Sequence, residues 1–116
     1  MVLLNLNLLE AGKITSLEDS PPISLSSVSE VFLTAECRHT RRAKKPIRIH
    51  VRASYNGINY DTSDLFSFDN DFKAGGIARK TLKLDKKVPF IKVLIENPEG
   101  AQAVSDVKVT ATLSGH

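Results

Sequence analysis

Apolar residues in this chain recur at every second position and almost nowhere at the three-and-four spacing of a helix. Leu4, Leu6 and Leu8 alternate with Asn5 and Asn7. Val31, Leu33, Ala35 and Cys37 alternate with Phe32, Thr34, Glu36 and Arg38, and Ile47, Ile49, Val51 and Ala53 alternate with Arg48, His50, Arg52 and Ser54. An extended chain sends successive side chains to opposite faces, so each run reads as a strand with one buried side. Further strands are predicted over 77–84, with Leu82 and Leu84 inward, over 90–96, and over 107–113. Lys13–Glu18 and Ile58–Asp61 read as shorter strands, and Leu65, Phe66 and Phe68 as buried residues of a less regular stretch. Turn chemistry separates the runs: Asp19-Ser-Pro-Pro22, Asn56-Gly57, Asp69-Asn-Asp71, Ala74-Gly-Gly76 and Asn97-Pro-Glu-Gly100.

This pattern predicts an all-β domain of seven to nine short strands with no substantial helix. Without helices to cover a parallel sheet, the strands must be antiparallel and bury one face each. At 116 residues the chain makes one domain, 1–116, large enough to fold without a disulfide or a structural metal. A β-sandwich follows, jelly-roll-like rather than immunoglobulin-like, since paired cysteines and a core Trp are absent from the sequence. Residues 1–9 are expected to form an N-terminal strand, or an oligomerisation arm that adds to a neighbour's sheet edge.

Charge is unevenly placed. The formal net charge is +3, yet Arg38, Arg41, Arg42, Lys44, Lys45 and Arg48 fall within eleven residues. Without those six, acidic residues outnumber basic ones, so the chain reads as a near-neutral body with one basic patch. Such a patch suits an acidic protein surface or a phosphate backbone. If His39–Pro46 closes a regular hairpin, Cys37 faces Ile47, Glu36 faces Arg48, Thr34 faces His50 and Phe32 faces Arg52. The loop cations Arg41, Arg42, Lys44 and Lys45 then have no local partners. Tyr55 and Tyr60, the only polar aromatics, lie beyond the next strand and offer that loop no stacking platform.

Candidate chemistry is sparse. Cys37 is the single cysteine and reads as a small buried hydrophobe, with His39 expected to point away from it. His39, His50 and His116 lack metal-ligand spacing, and His116 is expected to fray at the chain end. No phosphate-binding glycine loop and no nucleophile elbow is present, so no catalytic residue and no cofactor is expected. Asp61, Asp64, Asp69 and Asp71 are the weak metal candidates, for calcium, against a turn-forming role for the same residues. No run is long enough to span a membrane, and the first nine residues lack the basic start of a signal peptide. Synthesis in the cytoplasm and no membrane partner are expected.

Ser54-Tyr-Asn-Gly-Ile-Asn-Tyr-Asp61 resembles the Ser-x-Asp-Gly-x-x-Trp hairpin of discoidin-like, galactose-binding-like jelly rolls, with Asn56 in place of Asp and Tyr60 near the aromatic's place. Phe90–Asn97 and Val107–Thr112 look like the paired closing strands of the same sandwiches. Small chains with this hairpin and ending are also similar to accessory structural proteins of tailed phages and related viruses. The resemblance implies the sandwich fold and, more remotely, a place in a virus-like particle. Together these features point to a non-enzymatic structural or interaction protein that forms a homo-oligomer or decorates a larger assembly. The alternatives are a ligand module for a glycan or a calcium-assisted ligand, using Tyr55, Asn56 and Tyr60 within loops 55–71, and nucleic-acid binding through 38–48.

Overall fold

In the computed structural model, which describes residues 1–85 and 87–115, the alternating runs become eight antiparallel strands. They are β1 (Val2–Leu9), β2 (Ile23–Ser24), β3 (Val28–His39), β4 (Arg48–Ser54), β5 (Phe66–Asp69), β6 (Ile77–Leu84), β7 (Phe90–Glu96) and β8 (Val104–Gly115). The one helical element among the described residues is a 3-10 turn at Leu17–Asp19, where Asp19 accepts the Ser16 N–H at 2.9 Å. His116 lies outside the described residues.

The strands form two four-stranded sheets, β1-β8-β3-β6 and β2-β7-β4-β5. First pairs with last, second with seventh, third with sixth, and fourth with fifth. That is one long hairpin, with its tip between β4 and β5, wound into two layers: a jelly roll. The inward rows of the four central strands make the core. Leu33, Val107 and Val109 from one sheet meet Ile49, Val51, Ile91, Val93 and Ile95 from the other, all essentially solvent-free. Burying each such side chain contributes about 1.5–3 kcal/mol before chain entropy is counted.

Several local expectations change. β3 and β4 do not form a hairpin, because they belong to different sheets, and residues 40–47 cross between layers. The outer face of β3 is paired instead with β6, where Glu36 faces Arg79, Thr34 faces Thr81 and Phe32 faces Lys83. Alternation states which face is buried but not which strand lies alongside.

β1 carries an extra residue at Leu3 relative to β8, so Leu3 and Leu4 are both buried. Leu8, expected inward, is exposed, and Leu9 is buried in its stead. Both lie beside Ser105 and Val104, beyond a second bulge where Asp106 adopts φ +50° and the phase of β8 shifts. Lys13–Glu18 makes only a single bridge, Ile14 to Glu96, before the 3-10 turn, and Ile58–Asp61 only the bridge Ser54 to Tyr60. Leu65, Phe66 and Leu82 are half-buried.

Candidate partner-binding surface at the basic end

Connections β3–β4, β5–β6 and β7–β8 meet at one end of the sandwich, and hydrogen bonds join them. The Gly75 N–H donates to the Thr40 carbonyl at 2.8 Å, and the His39 N–H donates to the Gly76 carbonyl at 2.9 Å. The Thr40 hydroxyl donates to Gln102 Oε1 at 2.7 Å. Asn97, fully buried, donates through Nδ2 to the carbonyls of Leu9, Glu10 and Gln102, which binds the β1 exit to the same end.

The basic loop is held from below. Thr40 and Ala43 close a turn, N–H to carbonyl at 3.2 Å, with Ala43 buried as its anchor. The buried Glu99 carboxylate then accepts the backbone N–H groups of both Lys44 and Lys45. Two successive main-chain donors on one carboxylate are charge-assisted and fix the loop's backbone. Gly75, at φ +71°, is needed at the seam: a side chain there would meet the Arg41 stem at 3.1 Å.

The six clustered cations separate into two groups. Arg38 lies on the outer face of β3 and reaches Asp106 at 3.6 Å, while Arg48 lies on β4 and bonds Asp69 at 2.8 Å. These two sit on different sheets and are locally paired, so they do not extend one contiguous patch. Arg41, Arg42, Lys44 and Lys45 are exposed and make no ion pair within 4 Å among the described residues.

Under the loop lies a buried polar trio. Cys37 and His39 share one face of β3, with Nε2 3.4 Å from Sγ, and the Asn70 amide donates to Sγ at 3.6 Å and to the Ala78 carbonyl at 3.3 Å. Residues two apart on a strand project together, so the expectation that His39 points away from Cys37 fails. Burial pushes the Cys37 thiol up to about 11, against a smaller lowering by the Asn70 hydrogen bond. Burial also lowers His39, partly offset by the charge of Glu99. A thiol raised beside a neutral ring is not an ion-pair nucleophile. Phe72 covers the ring at 4.8 Å between centroids while remaining 41% exposed itself.

The four metal-candidate aspartates are not gathered. Asp64 bonds His50 Nδ1 at 2.7 Å and Arg52 Nε at 2.7 Å, and Glu96 meets the other His50 nitrogen at 2.9 Å. Desolvation would raise the Asp64 carboxyl, but hydrogen bonds and charge from His50 and Arg52 outweigh it and hold it below the usual carboxylate value. Asp69 is taken by Arg48, Asp71 stands 3.9 Å from Lys80, and Asp61 is exposed. Neighbouring cations thus occupy carboxylate oxygens of Asp64, Asp69 and Asp71 that a calcium ion would need. No group of three His, Cys, Asp or Glu side chains among the described residues could hold a metal.

The expected ligand loop lies at the opposite end, at the β4–β5 tip. Ser54 Oγ accepts the Gly57 N–H at 2.9 Å, and Asn56 Oδ1 accepts those of Ile58 and Asn59, each at 2.9 Å. Asn56 is thus consumed by its own turn. Tyr55 and Ile58 project into solvent, 76% and 80% exposed, while Tyr60 is half-buried with Lys92 5.1 Å above its ring. The three do not converge: a cleft of about 600 Å³ is lined by Leu25, Val28 and Val31 on one side and by Leu84, Val88 and Pro89 on the other, and none of the three lines it.

Sequence reasoning missed Glu99, which reads as an ordinary turn residue, and the pairing of His50 with Asp64 and Glu96, which only the fold brings together. No helix of the described residues is long and apolar enough to cross a membrane. No protein-family model matches the chain, and no curated protein matches it.

Proposed function

We propose that the protein is a non-enzymatic interaction module that docks on an acidic protein surface within a larger assembly, through Arg41, Arg42, Lys44 and Lys45. The observation that carries this reading is the combination of four exposed cations, which have no ion pair among the described residues, with a loop backbone fixed by buried Glu99. A charged loop already ordered before binding loses little entropy on docking, and its unpaired charges steer an acidic partner. The Cys37–His39 pair, inert by burial, supports a non-catalytic role for this end.

The test uses a glutamate-rich peptide as probe, titrated against the protein at low and at high salt. A variant carrying Arg41→Ser, Arg42→Ser, Lys44→Ser and Lys45→Ser should bind at least about tenfold more weakly, since each charge contributes modestly at an exposed surface. Equal binding by the variant would remove the loop as the contact.

A second reading, binding of single-stranded nucleic acid, is favoured by Phe72, a partly exposed aromatic at the same end as the four cations. It predicts that Phe72→Ala weakens binding of an oligothymidine more than binding of the acidic peptide. Equal effects on both probes would reject it.

A further inference from the structure

Three of the four sheet edges carry recognisable guards against pairing with another chain. β2 is two residues long and preceded by Pro21-Pro22, and β5 is four residues long. β6 is longer but bears Arg79, Lys80 and Lys83. Short strands, prolines and charges are the devices by which sheets avoid edge-to-edge association.

β1 has none of these. It is eight residues long, without a charge or a proline, and as the first strand of its sheet it pairs with β8 on one side only. Leu8 is 53% and Val2 48% exposed along it. The Leu3 bulge disturbs the start of the strand, yet Leu4–Leu9 advances without a register shift.

Its sequence has a further property: Leu3-Leu4-Asn5-Leu6-Asn7-Leu8-Leu9 reads the same in both directions. Two identical strands pairing antiparallel are related by a two-fold axis. With that axis at Leu6, Asn5 of one copy faces Asn7 of the other, and Leu4 faces Leu8. Exposed amides meet amides on the outer face, and the exposed Leu8 gains an apolar neighbour on the other.

We propose that β1 is the pairing edge for a second copy of this chain, antiparallel and centred on Leu6, giving one eight-stranded sheet across a two-fold dimer. The inference goes beyond the docking reading above and does not rest on it, since it uses a surface separate from the cationic loop.

The test is the mass in solution by light scattering, with two variants. The wild type should weigh twice 12.7 kDa at both low and high salt, because the edge carries no charge. Asn5→Lys with Asn7→Lys, at two exposed positions, opposes two pairs of ammonium groups and should give a folded monomer. Asn5→Cys with Asn7→Cys sets thiols on strands about 5.5 Å apart between Cα atoms, within disulfide reach. Mild oxidation should then yield a covalent dimer on a non-reducing gel, with buried Cys37 not competing.

A wild-type monomer overturns the proposal, as does a dimer that survives the lysine variant or fails to cross-link. A monomer that still binds the acidic peptide through its loop would remove this inference and leave the proposed function standing.

Discussion

The Glu99 carboxylate lies beneath the basic loop and accepts the Lys44 N–H at 2.5 Å and the Lys45 N–H at 3.2 Å. One buried anion, contributed by the β7–β8 connection, thus sets the shape of a loop that carries four exposed cations. Replacing it by Glu99→Ala strands two main-chain donors and should cost about 2–3 kcal/mol of stability. Amide exchange at Lys44 and Lys45 should accelerate well beyond that of the β4 amides. Unchanged exchange at those two positions would show that the turn at Thr40 holds the loop unaided.

Stability should fall in mild acid because of His39. Its ring is held neutral by burial, so its folded-state value lies below 6.5 while the unfolded chain titrates near 6.5. Just below that pH the unfolded state binds more protons, and stability drops as pH falls. The groups around it are Cys37 on the same strand, Phe72 from the β5–β6 connection and the charge of Glu99. Asp64 acts in a lower window: its folded value is depressed below 3.8, and its contribution is present above that and lost as pH falls through the folded value. Urea midpoints at pH 7 and about 5.5 should differ in the wild type and converge in His39→Leu. Identical slopes in the two proteins would place the titration elsewhere.

Cys37 should be a slow thiol in the native state. A rise from 9.0 to about 11 lowers the thiolate fraction about 100-fold at pH 8, before burial is counted. Iodoacetamide labelling followed by mass spectrometry should find the native protein unmodified under conditions that label it fully in urea. Rapid native labelling would mean that the β3 end opens readily.

Gly57 is required by the tip of the roll. At φ +78°, an added Cβ would lie 3.2 Å from the Phe90 ring, so Gly57→Ala combines backbone strain with a clash. A loss of about 1–2 kcal/mol is expected. A thermal melt of this variant beside Asn59→Ala, whose side chain is exposed and whose backbone bonds persist, separates strain from mere alteration of the loop.

The buried rows were readable because a strand's period is local. Val31, Leu33, Ala35 and Cys37, and likewise Ile91, Val93 and Ile95, face the core as their alternation requires. Pairing is not local: nothing in the sequence near Glu36 indicates Arg79, 43 positions away, as its partner. The two bulges, at Leu3 and Asp106, also escaped, since neither residue is a glycine and the phase shifts are visible only in the pairing, of β1 with β8 at Leu3 and of β8 with β3 at Asp106. Of the candidate site, the four loop cations were legible as charge without local partners. Their separation from Arg38 and Arg48 depended on the crossing of residues 40–47 between sheets.

Winding a single hairpin into two layers leaves its mark on how the chain must assemble. β4 and β5, joined through residues 55–65, are the paired strands nearest in sequence, whereas the Met1 amino group meets the Ala111 carbonyl across 110 positions of chain. Loop-closure entropy has to be overcome before contacts that distant stabilise anything, so order should spread from the β4–β5 tip and reach β1 and β8 last. The strand that stays open longest is then the apolar, uncharged β1, which exposes the nascent chain to mispairing during the slowest stage of its folding.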